Sequence, residues 1–388
     1  MLHSPVTARS RLPHVGTTIF SVIGQLAAQH QAINLSQGAP NFPCSEALLR
    51  YASEAMQAGH NQYAPMTGLP ALREAISTKT EALYGCRYDS EHEVTIMASA
   101  SEALFCAVNA LVHAGDEVIV FEPAFDSYIP MIELQGATPV VIKLAAPLFA
   151  IPWDEVAARI TSRTRMLILN TPHNPTGTTL SAADAARLQA LTEGSDIVIL
   201  SDEVYEHVVF DGALHHSMSR YPALAARSVV VTSFGKTYHV TGWRVGCCLA
   251  PQALMEEIRK VHQFAMFAAD TPMQHALARI LAEPEHYLGL SAFYQRKRDL
   301  LCAALADSPL QLLPSQGSFF MLASFAHLSD ERDSEFVQGL ITRNGVATIP
   351  VSAFYRDGTD QRVIRLSFAK DDATLLAGAA RLCEIGAA

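Results

Sequence analysis

One stretch of the chain places a lysine and an arginine at the ends of two apolar strands. It reads Ser228-Val-Val-Val-Thr-Ser-Phe-Gly-Lys-Thr-Tyr-His-Val-Thr-Gly-Trp-Arg-Val-Gly246. The β-branched run 229–232 predicts a buried strand that ends before Lys236, and the run 243–249 predicts a second strand with Arg244 at its start. A lysine beside a buried strand is costly while charged, and once uncharged it is a nucleophilic amine that condenses with an aldehyde. A lone loop lysine is more often a solvated surface residue, so the prediction depends on its neighbours.

Two other motifs share these letters. Gly235-Lys-Thr237 ends like a P-loop, but that loop needs a glycine where Val230 stands. Ser233-x-x-Lys236 matches the acyl-enzyme serine of penicillin-binding proteins, yet the companion motifs S-D-N and K-T-G are not matched by 201–203 and 236–238. The P-loop is excluded, and a serine hydrolase is kept as the reading without a cofactor.

Polar residues follow or interrupt three further apolar runs. Asp202 and Tyr205 come after the run 197–200, and Asn174 lies on a loop between two prolines after the strand predicted at 166–169. Arg365 interrupts the apolar strand predicted at 363–368, which favours bidentate capture of a carboxylate. Each has an ordinary alternative: Asp202 as a helix cap, Asn174 as a turn former and Arg365 in an internal salt bridge.

The segment Ser99-Ala-Ser-Glu102 is a capping-box pattern, with Ser99 predicted to cap the helix and Glu102 to reach back. That arrangement leaves the backbone amides of Ala100 and Ser101 without partners. Free amides at a helix N-terminus are a ready phosphate site, although most capping boxes only begin a helix.

Taken together, these residues predict a cofactor with an aldehyde, a phosphate and a pyridine nitrogen, which is pyridoxal 5'-phosphate. Lys236 is expected to hold the aldehyde as a Schiff base, and Asp202 to keep the pyridine nitrogen protonated. The other assignments are Tyr205 and Asn174 at the phenolate oxygen, Arg244, Ser233, Ala100 and Ser101 at the phosphate, and Phe125 stacked on the ring.

Composition limits the class of protein. With 388 residues, 49% hydrophobic and 17% charged, the chain is expected to be globular and to form two domains. A net charge of −10 disfavours nucleic-acid binding. Seven cysteines without C-x-x-C spacing predict reduced thiols and no metal site. Neither a signal peptide nor an apolar run of membrane-spanning length is visible, so we expect a cytoplasmic protein without membrane contact.

Strand and helix signals alternate from about residue 46 to 250. This alternation predicts an α/β fold with a mostly parallel sheet covered on both faces. The pattern changes near 285, where a smaller α+β part begins. We therefore predict a large cofactor-binding domain at 46–284 and a small domain formed by an N-terminal arm, 1–45, together with 285–388. The five strands legible in the large domain are 117–121, 166–169, 197–200, 229–232 and 245–249.

The motifs Asn174-Pro-x-Gly177, Asp202-x-x-Tyr205 and Ser233-Phe-x-Lys236, with Arg244 following, resemble those of the class I, fold type I pyridoxal-phosphate aminotransferases. The resemblance runs from Asn34-Leu-Ser-Gln-Gly38 to Arg365 and so covers nearly the whole chain. The amino-acid sequences of 233–243 and 283–287 are similar to those of bacterial methionine aminotransferases and of kynurenine and glutamine transaminases.

The resemblance implies roles beyond those read from the residues. It implies a seven-stranded sheet in the large domain and a proton-shuttle role for Lys236. It places Arg365, Asn174 and the Gly38 backbone at the substrate carboxylate. Tyr63 would reach the phosphate of a neighbouring subunit, which implies a homodimer with shared active sites. The sequence departs from the family at Ser99, where a glycine is usual.

Substrate choice follows from what surrounds the expected pocket. No second arginine stands in a matching motif for a dicarboxylate side chain, and the nearby residues are apolar: Ile19, Phe20, Phe125, Met266 and Phe267. We expect transfer of the amino group of an apolar or aromatic amino acid, methionine first, to a 2-oxo acid with ping-pong kinetics. The alternatives are a cysteine-conjugate β-lyase, a kynurenine or glutamine transaminase, and a non-catalytic sensor module that binds the cofactor.

Overall fold

The computed structural model describes residues 9–386. The outer ends of the predicted small domain, residues 1–8 and 387–388, lie outside this range. The fifteen α-helices are α1 (Ile19–Gln29), α2 (Glu46–Gln57), α3 (Pro70–Tyr84), α4 (Ala100–Leu111), α5 (Tyr128–Leu134), α6 (Trp153–Arg159), α7 (Ala182–Thr192), α8 (Pro222–Ala225), α9 (Phe234–Thr237), α10 (Gln252–Ala265), α11 (Thr271–Leu281), α12 (Glu285–Leu288), α13 (Leu290–Ala304), α14 (Asp333–Gly339) and α15 (Asp372–Cys383).

Thirteen strands, three 3₁₀ turns and one π-helical turn complete the described chain. The turns are Met218–Arg220, Thr241–Trp243, Val351–Phe354 and the π-helix Leu340–Asn344. The strands are β1 (Ile33–Asn34), β2 (Val94–Met97), β3 (Glu117–Glu122), β4 (Thr138–Lys143), β5 (Thr164–Asn170), β6 (Val198–Asp202), β7 (Ser228–Ser233), β8 (Gly246–Leu249), β9 (Gln311–Leu312), β10 (Phe320–Ser324), β11 (Val346–Ala347), β12 (Ile349–Pro350) and β13 (Val363–Ser367).

The large sheet has seven strands in the order β2-β8-β7-β6-β5-β3-β4. Only β8 runs antiparallel to its neighbours, and the remaining pairs are parallel. Every residue of β3 and β6 is buried, as expected for strands with helices on both faces. The predicted α/β class and the mostly parallel sheet are confirmed.

Five of these seven strands were legible in the sequence. Their bounds differ by a few residues, most at β8, where Thr241–Trp243 forms a 3₁₀ turn and the strand begins only at Gly246. The other two, β2 and β4, are the edge strands of the sheet. Edge strand β4 contains Pro139 and is mostly half-buried or exposed, so its apolar run is shorter than those of the central strands and a proline argues against a strand there.

A smaller antiparallel sheet in the order β12-β13-β10-β9 carries Arg365 on its inner strand β13. The N-terminal arm attaches to this part of the chain: β1 pairs with β11, and the amide of Ser367 donates to the carbonyl of Leu35 over 2.8 Å. These contacts support the prediction that the arm belongs with the C-terminal part in one small domain.

The membrane prediction can be compared with helix lengths. Within residues 9–386, no helix combines the length and the apolar character that crossing a bilayer requires.

A buried ion pair fixes the loop after β6, which follows Asp202 and contains Tyr205. Lys79 of α3 lies 2.6 Å from a carboxylate oxygen of Glu206, and the Tyr84 hydroxyl donates to the other oxygen over 2.7 Å. Burial would raise the pKa of Glu206, but Lys79 and these hydrogen bonds outweigh it and lower that pKa to about 2. The pair therefore ties the loop after β6 to helix α3.

We expect Lys79→Met to lower the free energy of unfolding by ~3–5 kcal/mol, because it leaves the Glu206 carboxylate buried without a cation. Since the folded pKa of Glu206 lies below the unfolded value of ~4.3, its contribution is complete above that pH and is lost as the pH falls toward about 2. Urea unfolding at neutral pH therefore measures the full contribution of the ion pair to the free energy of unfolding.

Two controls accompany this measurement. The double variant Lys79→Met with Glu206→Leu removes both charges and should recover more than half of the loss. Lys260→Met breaks the exposed pair with Glu257 and should cost less than ~0.5 kcal/mol. A Lys79→Met protein as stable as the Lys260 control would contradict the structural role given to the pair.

Candidate active site

A cavity of about 290 Å³ opens where the large sheet meets the small domain. Its floor is formed by Asn170, Asp202 and Ser233, the last residues of the adjacent strands β5, β6 and β7. The carboxyl ends of parallel strands are where α/β sheets bind ligands. The cavity is lined by Phe20, Gly38, Ala39, Ser99, Ala100, Ser101, Leu104, Phe125, Asn170, Asn174, Asp202, Val204, Tyr205, Ser233, Lys236, Arg244, Phe320 and Arg365.

The lysine predicted from the sequence reaches this cavity from helix α9, one turn after β7 ends. Its Nζ lies 5.5 Å from the ring centroid of Tyr205 and 5.7 Å from that of Phe319. Burial lowers the pKa of Lys236 to about 8, and Arg365 and Arg244 act in the same direction while Asp202 opposes them. An appreciable fraction of Lys236 is therefore a neutral amine near neutral pH.

Asp202 is buried and is held by a tyrosine from another element. The hydroxyl of Tyr128, at the start of α5, donates to Oδ2 over 2.6 Å, and the amide of Val204 donates to Oδ1 over 3.3 Å. Burial raises the pKa of Asp202 to about 6, although both hydrogen bonds act to lower it. The carboxylate is thus ionised above neutral pH and is aimed at a partner that can donate a proton.

Tyr205 and Asn174 approach the same cavity from two loops. The backbone amide of Asn174 donates to Oδ1 of Asn170 over 2.8 Å, and Nδ2 of Asn170 donates to the carbonyl of Asp202 over 2.9 Å. These bonds join the ends of β5 and β6. Because Oδ1 of Asn174 already accepts a hydrogen bond from Arg365, its Nδ2 is the group left to donate into the cavity.

Arg365 is the largest fully buried side chain of the described residues. Nη1 donates to Oδ1 of Asn174 over 2.8 Å and Nη2 to the carbonyl of Ser36 over 2.7 Å, while Nε is buried without an acceptor. Its guanidinium lies 3.9 Å from the ring centroid of Phe320. Burial lowers the pKa of Arg365 to about 9. Within residues 9–386 no carboxylate pairs with it, so the internal salt bridge is excluded there and a carboxylate from a ligand is favoured.

The opposite end of the cavity is the N-terminus of helix α4. The amides of Ala100 and Ser101 have no acceptor within the described chain, and Ser233 and Arg244 line the same end. Gly246 allows this approach, since a Cβ there would lie 2.6 Å from the amide nitrogen of Ala100. Free amides, a helix dipole, a hydroxyl and a guanidinium form a site for a phosphate dianion.

The predicted capping box at this helix is wrong. Ser99 makes no side-chain cap, because its backbone has φ +90°, a conformation that favours glycine. Glu102 does reach back, but to the amide of Ala98 over 2.6 Å. The two free amides remain, so the phosphate site is present for a different reason from the one predicted.

Tyr63, which the family resemblance directs to the phosphate of a neighbouring subunit, is 85% exposed on the surface, where its ring packs edge-to-face on Phe267. Three residues predicted near the pocket lie elsewhere. Met266 and Phe267, expected in the substrate pocket, are also exposed, because α10 ends at Ala265 and the chain turns outward. Ile19 lies in α1 next to Phe20, but only Phe20 faces the cavity.

Three residues that line or support the cavity were missed from the sequence. Tyr128 stands in the Pro123–Tyr128 run, where Phe125 alone was singled out, and Asn170 ends the strand before the Asn174 loop. Phe320 packs on Arg365 from the small sheet. A polar residue closing a buried strand was the available signal for Asn170, whereas the partners of Tyr128 and Phe320 are distant in sequence.

The predicted cofactor can be compared with this donor set. Pyridoxal phosphate needs an amine for its aldehyde, a carboxylate for its pyridine nitrogen and donors for its phosphate. Lys236, Asp202 and the N-terminus of α4 offer these groups around one cavity, with Phe125 on its wall. The free amides and the unpaired lysine are the features that a bound ligand would satisfy, so the residues fit this cofactor.

Comparisons with known proteins agree with this geometry. Residues 30–382 match the model of the family described as aminotransferase class I and II. The chain is 50% identical over 386 residues to methionine aminotransferase of Escherichia coli K12, covering 99% of this chain and 100% of that protein. It is 33% identical to human kynurenine–oxoglutarate transaminase 1, covering 91% and 92%. A solved Escherichia coli structure with a methionine aminotransferase function superposes with a TM-score of 0.95 at 49% identity, covering 98% and 100%.

The lowered pKa of Lys236 can be measured in the cofactor-free chain by cyanate labelling and mass spectrometry. Only the neutral amine reacts, so we expect the carbamylation rate of Lys236 to rise with pH and to level off above about 8. The exposed lysines of the same sample should keep gaining rate toward their ordinary pKa of ~10.4.

Two variants give the sign of the electrostatic contributions. Asp202→Asn removes a negative neighbour and should move the midpoint of Lys236 to lower pH, whereas Arg365→Met removes a positive one and should move it to higher pH. A Lys236 profile that coincides with those of the surface lysines would contradict the assigned desolvation.

Proposed function

The chain belongs to the class I and II aminotransferases, and from this we propose that its preferred amino donor is methionine, with other apolar and aromatic amino acids also accepted. It is an aminotransferase that uses pyridoxal phosphate. The observation that carries the donor proposal is the cavity wall. The described cavity wall has three cations: Lys236 is assigned to the aldehyde and Arg244 to the phosphate, which leaves Arg365, set against the rings of Phe20 and Phe320, for the substrate.

This wall distinguishes apolar donors from dicarboxylates. Arg365 offers a bidentate site for the α-carboxylate that every amino acid carries. A dicarboxylate needs a second cation for its side chain, and the other arginine of the cavity, Arg244, lies at the phosphate end. Phe20 and Phe125 leave an apolar space that suits a thioether or an aromatic ring.

We assign the site residues as follows. When bound, the cofactor supplies an aldehyde that takes up the amino group and a ring that withdraws electrons from the substrate's α-carbon. The amides of Ala100 and Ser101, with Ser233 and Arg244, hold its phosphate. Asp202, oriented by Tyr128, keeps a proton on the pyridine nitrogen. Tyr205 and Nδ2 of Asn174 donate to the phenolate oxygen.

Lys236 then moves the proton. Arg365, Asn174 and the Gly38 backbone would orient the amino acid by its carboxylate, and the neutral Nζ of Lys236 would take the proton from the α-carbon and deliver it to the former aldehyde carbon, on the other side of the amino nitrogen. Phe20 and Phe320 cover Arg365 and exclude water from the carboxylate. Hydrolysis by one water would release the 2-oxo acid and leave the amino group in the site, and a second oxo acid would then accept it, which gives ping-pong kinetics.

We also propose that the protein is a homodimer whose active sites are shared, in the cytoplasm. Support comes from an apolar surface patch, which consists of Tyr63, Phe264, Met266 and Phe267, exposed by 85%, 86%, 53% and 41%. Large exposed aromatic groups of this kind mark protein interfaces. The patch contains Tyr63, the residue that the family resemblance assigns to a neighbour's phosphate. All seven cysteines are free thiols, as in a reducing compartment.

Addition of methionine without an oxo acid tests the donor proposal. We expect the purified protein to show a cofactor band at about 360–430 nm that methionine converts to one near about 330 nm. Lys236→Ala should leave the band unchanged on the same timescale. Initial rates with methionine should exceed those with aspartate, because the described cavity offers no second cation for the side-chain carboxylate of aspartate.

The outcomes separate the alternatives. Release of pyruvate and ammonia from a cysteine conjugate, faster than transamination of methionine, would identify a β-lyase. If kynurenine or glutamine converts the cofactor band and methionine does not, the choice of methionine as donor is wrong, but the assignment of transamination stands.

The apolar patch gives a test of the dimer. Phe264→Glu places a charge in the proposed interface, so we expect the dimer dissociation constant to rise at least ~100-fold, as measured by sedimentation over a range of concentrations. Leu376→Glu changes an exposed leucine of α15 outside the patch and should leave the dimer intact. A monomeric wild type at micromolar concentration would contradict the proposal.

A further inference from the structure

A second charged pair lies beside the phosphate end of the cavity and takes no part in the chemistry assigned above. Glu102 stands in the first turn of α4, and His262 of α10 is completely buried against it. Nδ1 of His262 lies 2.6 Å from Oε1 of Glu102. The other carboxylate oxygen of Glu102 accepts the amide of Ala98 over 2.6 Å.

The hydrogen bonds of His262 define its charge. Its Nε2 lies 3.0 Å from the backbone carbonyl of Met66, which can only accept, and its Nδ1 faces the carboxylate of Glu102. Both ring nitrogens therefore carry a proton when Glu102 is ionised, and the ring is an imidazolium. The thiol of Cys106, 3.7 Å from the same oxygen, is a weak donor and does not replace that charge.

The pair stands at the helix end that offers its amides to the phosphate. A carboxylate in the first turn is favourable for the helix alone, but a phosphate dianion at the same N-terminus is repelled by it. The positive ring of His262 offsets this repulsion. Removing the ring would leave Glu102 as an uncompensated charge beside the phosphate.

The same ring joins the two segments that are proposed to bind phosphate. Met66 belongs to the segment 63–68 that begins with Tyr63, and His262 is the side chain that links this segment to Glu102 of α4. The amide of Ile96, on β2, donates to the carbonyl of Thr67 over 3.0 Å and anchors the segment to the sheet. Helix α4 is proposed to hold the cofactor phosphate in the same subunit, and the Tyr63 segment is proposed to reach the cofactor phosphate of a neighbouring subunit. Both therefore meet at the imidazole of His262.

We propose that His262 is a positioning residue that neutralises Glu102 beside the phosphate-binding helix and holds the Tyr63 segment against that helix. The inference rests on the proposed phosphate site and names the group that tunes it. Its effect should be specific to the phosphate, because the pair lies beside α4 and makes no contact with Lys236 or Asp202.

The test compares two ligands of the cofactor-free full-length chain, pyridoxal phosphate and pyridoxal, which lacks the phosphate. His262→Gln should lower the affinity for pyridoxal phosphate by ~10- to 100-fold and the affinity for pyridoxal by less than ~3-fold, as measured by absorbance and fluorescence titration. Inorganic phosphate should compete with pyridoxal phosphate less well in the variant than in the wild type.

Glu102→Gln is the isosteric companion. Its amide can accept from Ala98 and donate to Nδ1 of a neutral His262, which still donates to Met66, so these three hydrogen bonds are kept and both charges are removed; only the weak contact with the Cys106 thiol is lost. We expect its affinity for pyridoxal phosphate to stay within ~3-fold of the wild type. The double variant should bind more tightly than His262→Gln alone.

His215→Gln is the matched control, since it removes an imidazole from the equally buried pair with Glu203, away from α4. It should change the affinities for the two ligands by the same factor.

Equal losses of affinity for pyridoxal phosphate and pyridoxal in His262→Gln would overturn the proposal and leave the pair only a structural role. If that variant does not fold, a loss of more than ~10-fold for pyridoxal phosphate alone in Glu102→Gln would overturn it. If the wild type binds pyridoxal phosphate and pyridoxal with equal affinity, the proposed phosphate site itself is contradicted, and the role of His262 with it.

Discussion

The site depends on the removal of three charged groups from water. Lys236, Asp202 and Arg365 line one cavity, and within the described chain none of them forms a salt bridge with an opposite charge. Burial lowers the pKa of Lys236 and Arg365 to about 8 and about 9 and raises that of Asp202 to about 6. The fold maintains these groups at a cost in free energy that ligands can offset, because an aldehyde, a pyridine nitrogen and a carboxylate each suit one of them.

The surrounding structure keeps these groups in place without neutralising them. Tyr128 orients Asp202 by a neutral hydrogen bond, and Asn174 with the carbonyl of Ser36 orients Arg365 in the same way. Full ion pairs appear one layer farther out, where Lys79 compensates Glu206 on the loop that follows Asp202. Charge is therefore paired where the structure needs rigidity and left unpaired where a ligand must bind.

Much of this arrangement could be predicted from the sequence. Buried parallel strands are continuous apolar runs, and polar residues at their carboxyl ends meet at one edge of the sheet, so Asp202, Ser233 and Asn174 could be placed together. Edge strand β4 could not, since its apolar run is only three residues long and follows Pro139, which is a signal for a loop. Ser99 misled the prediction because its letters fit a capping box, whereas the close contact of α4 with Gly246 accompanies a positive φ. Tyr128 and His262 were missed because a partner 74 or 160 residues away leaves no local pattern.

The central claim is that one desolvated lysine holds the cofactor. Borohydride treatment of the cofactor-loaded protein fixes the cofactor covalently to the lysine that binds it, and peptide mapping by mass spectrometry then identifies that residue. The account predicts a single modified peptide, the one that contains Lys236, and no labelling of Lys79 or Lys370, which are buried but lie outside the cavity. Labelling spread over several lysines, or confined to one other than Lys236, would contradict it.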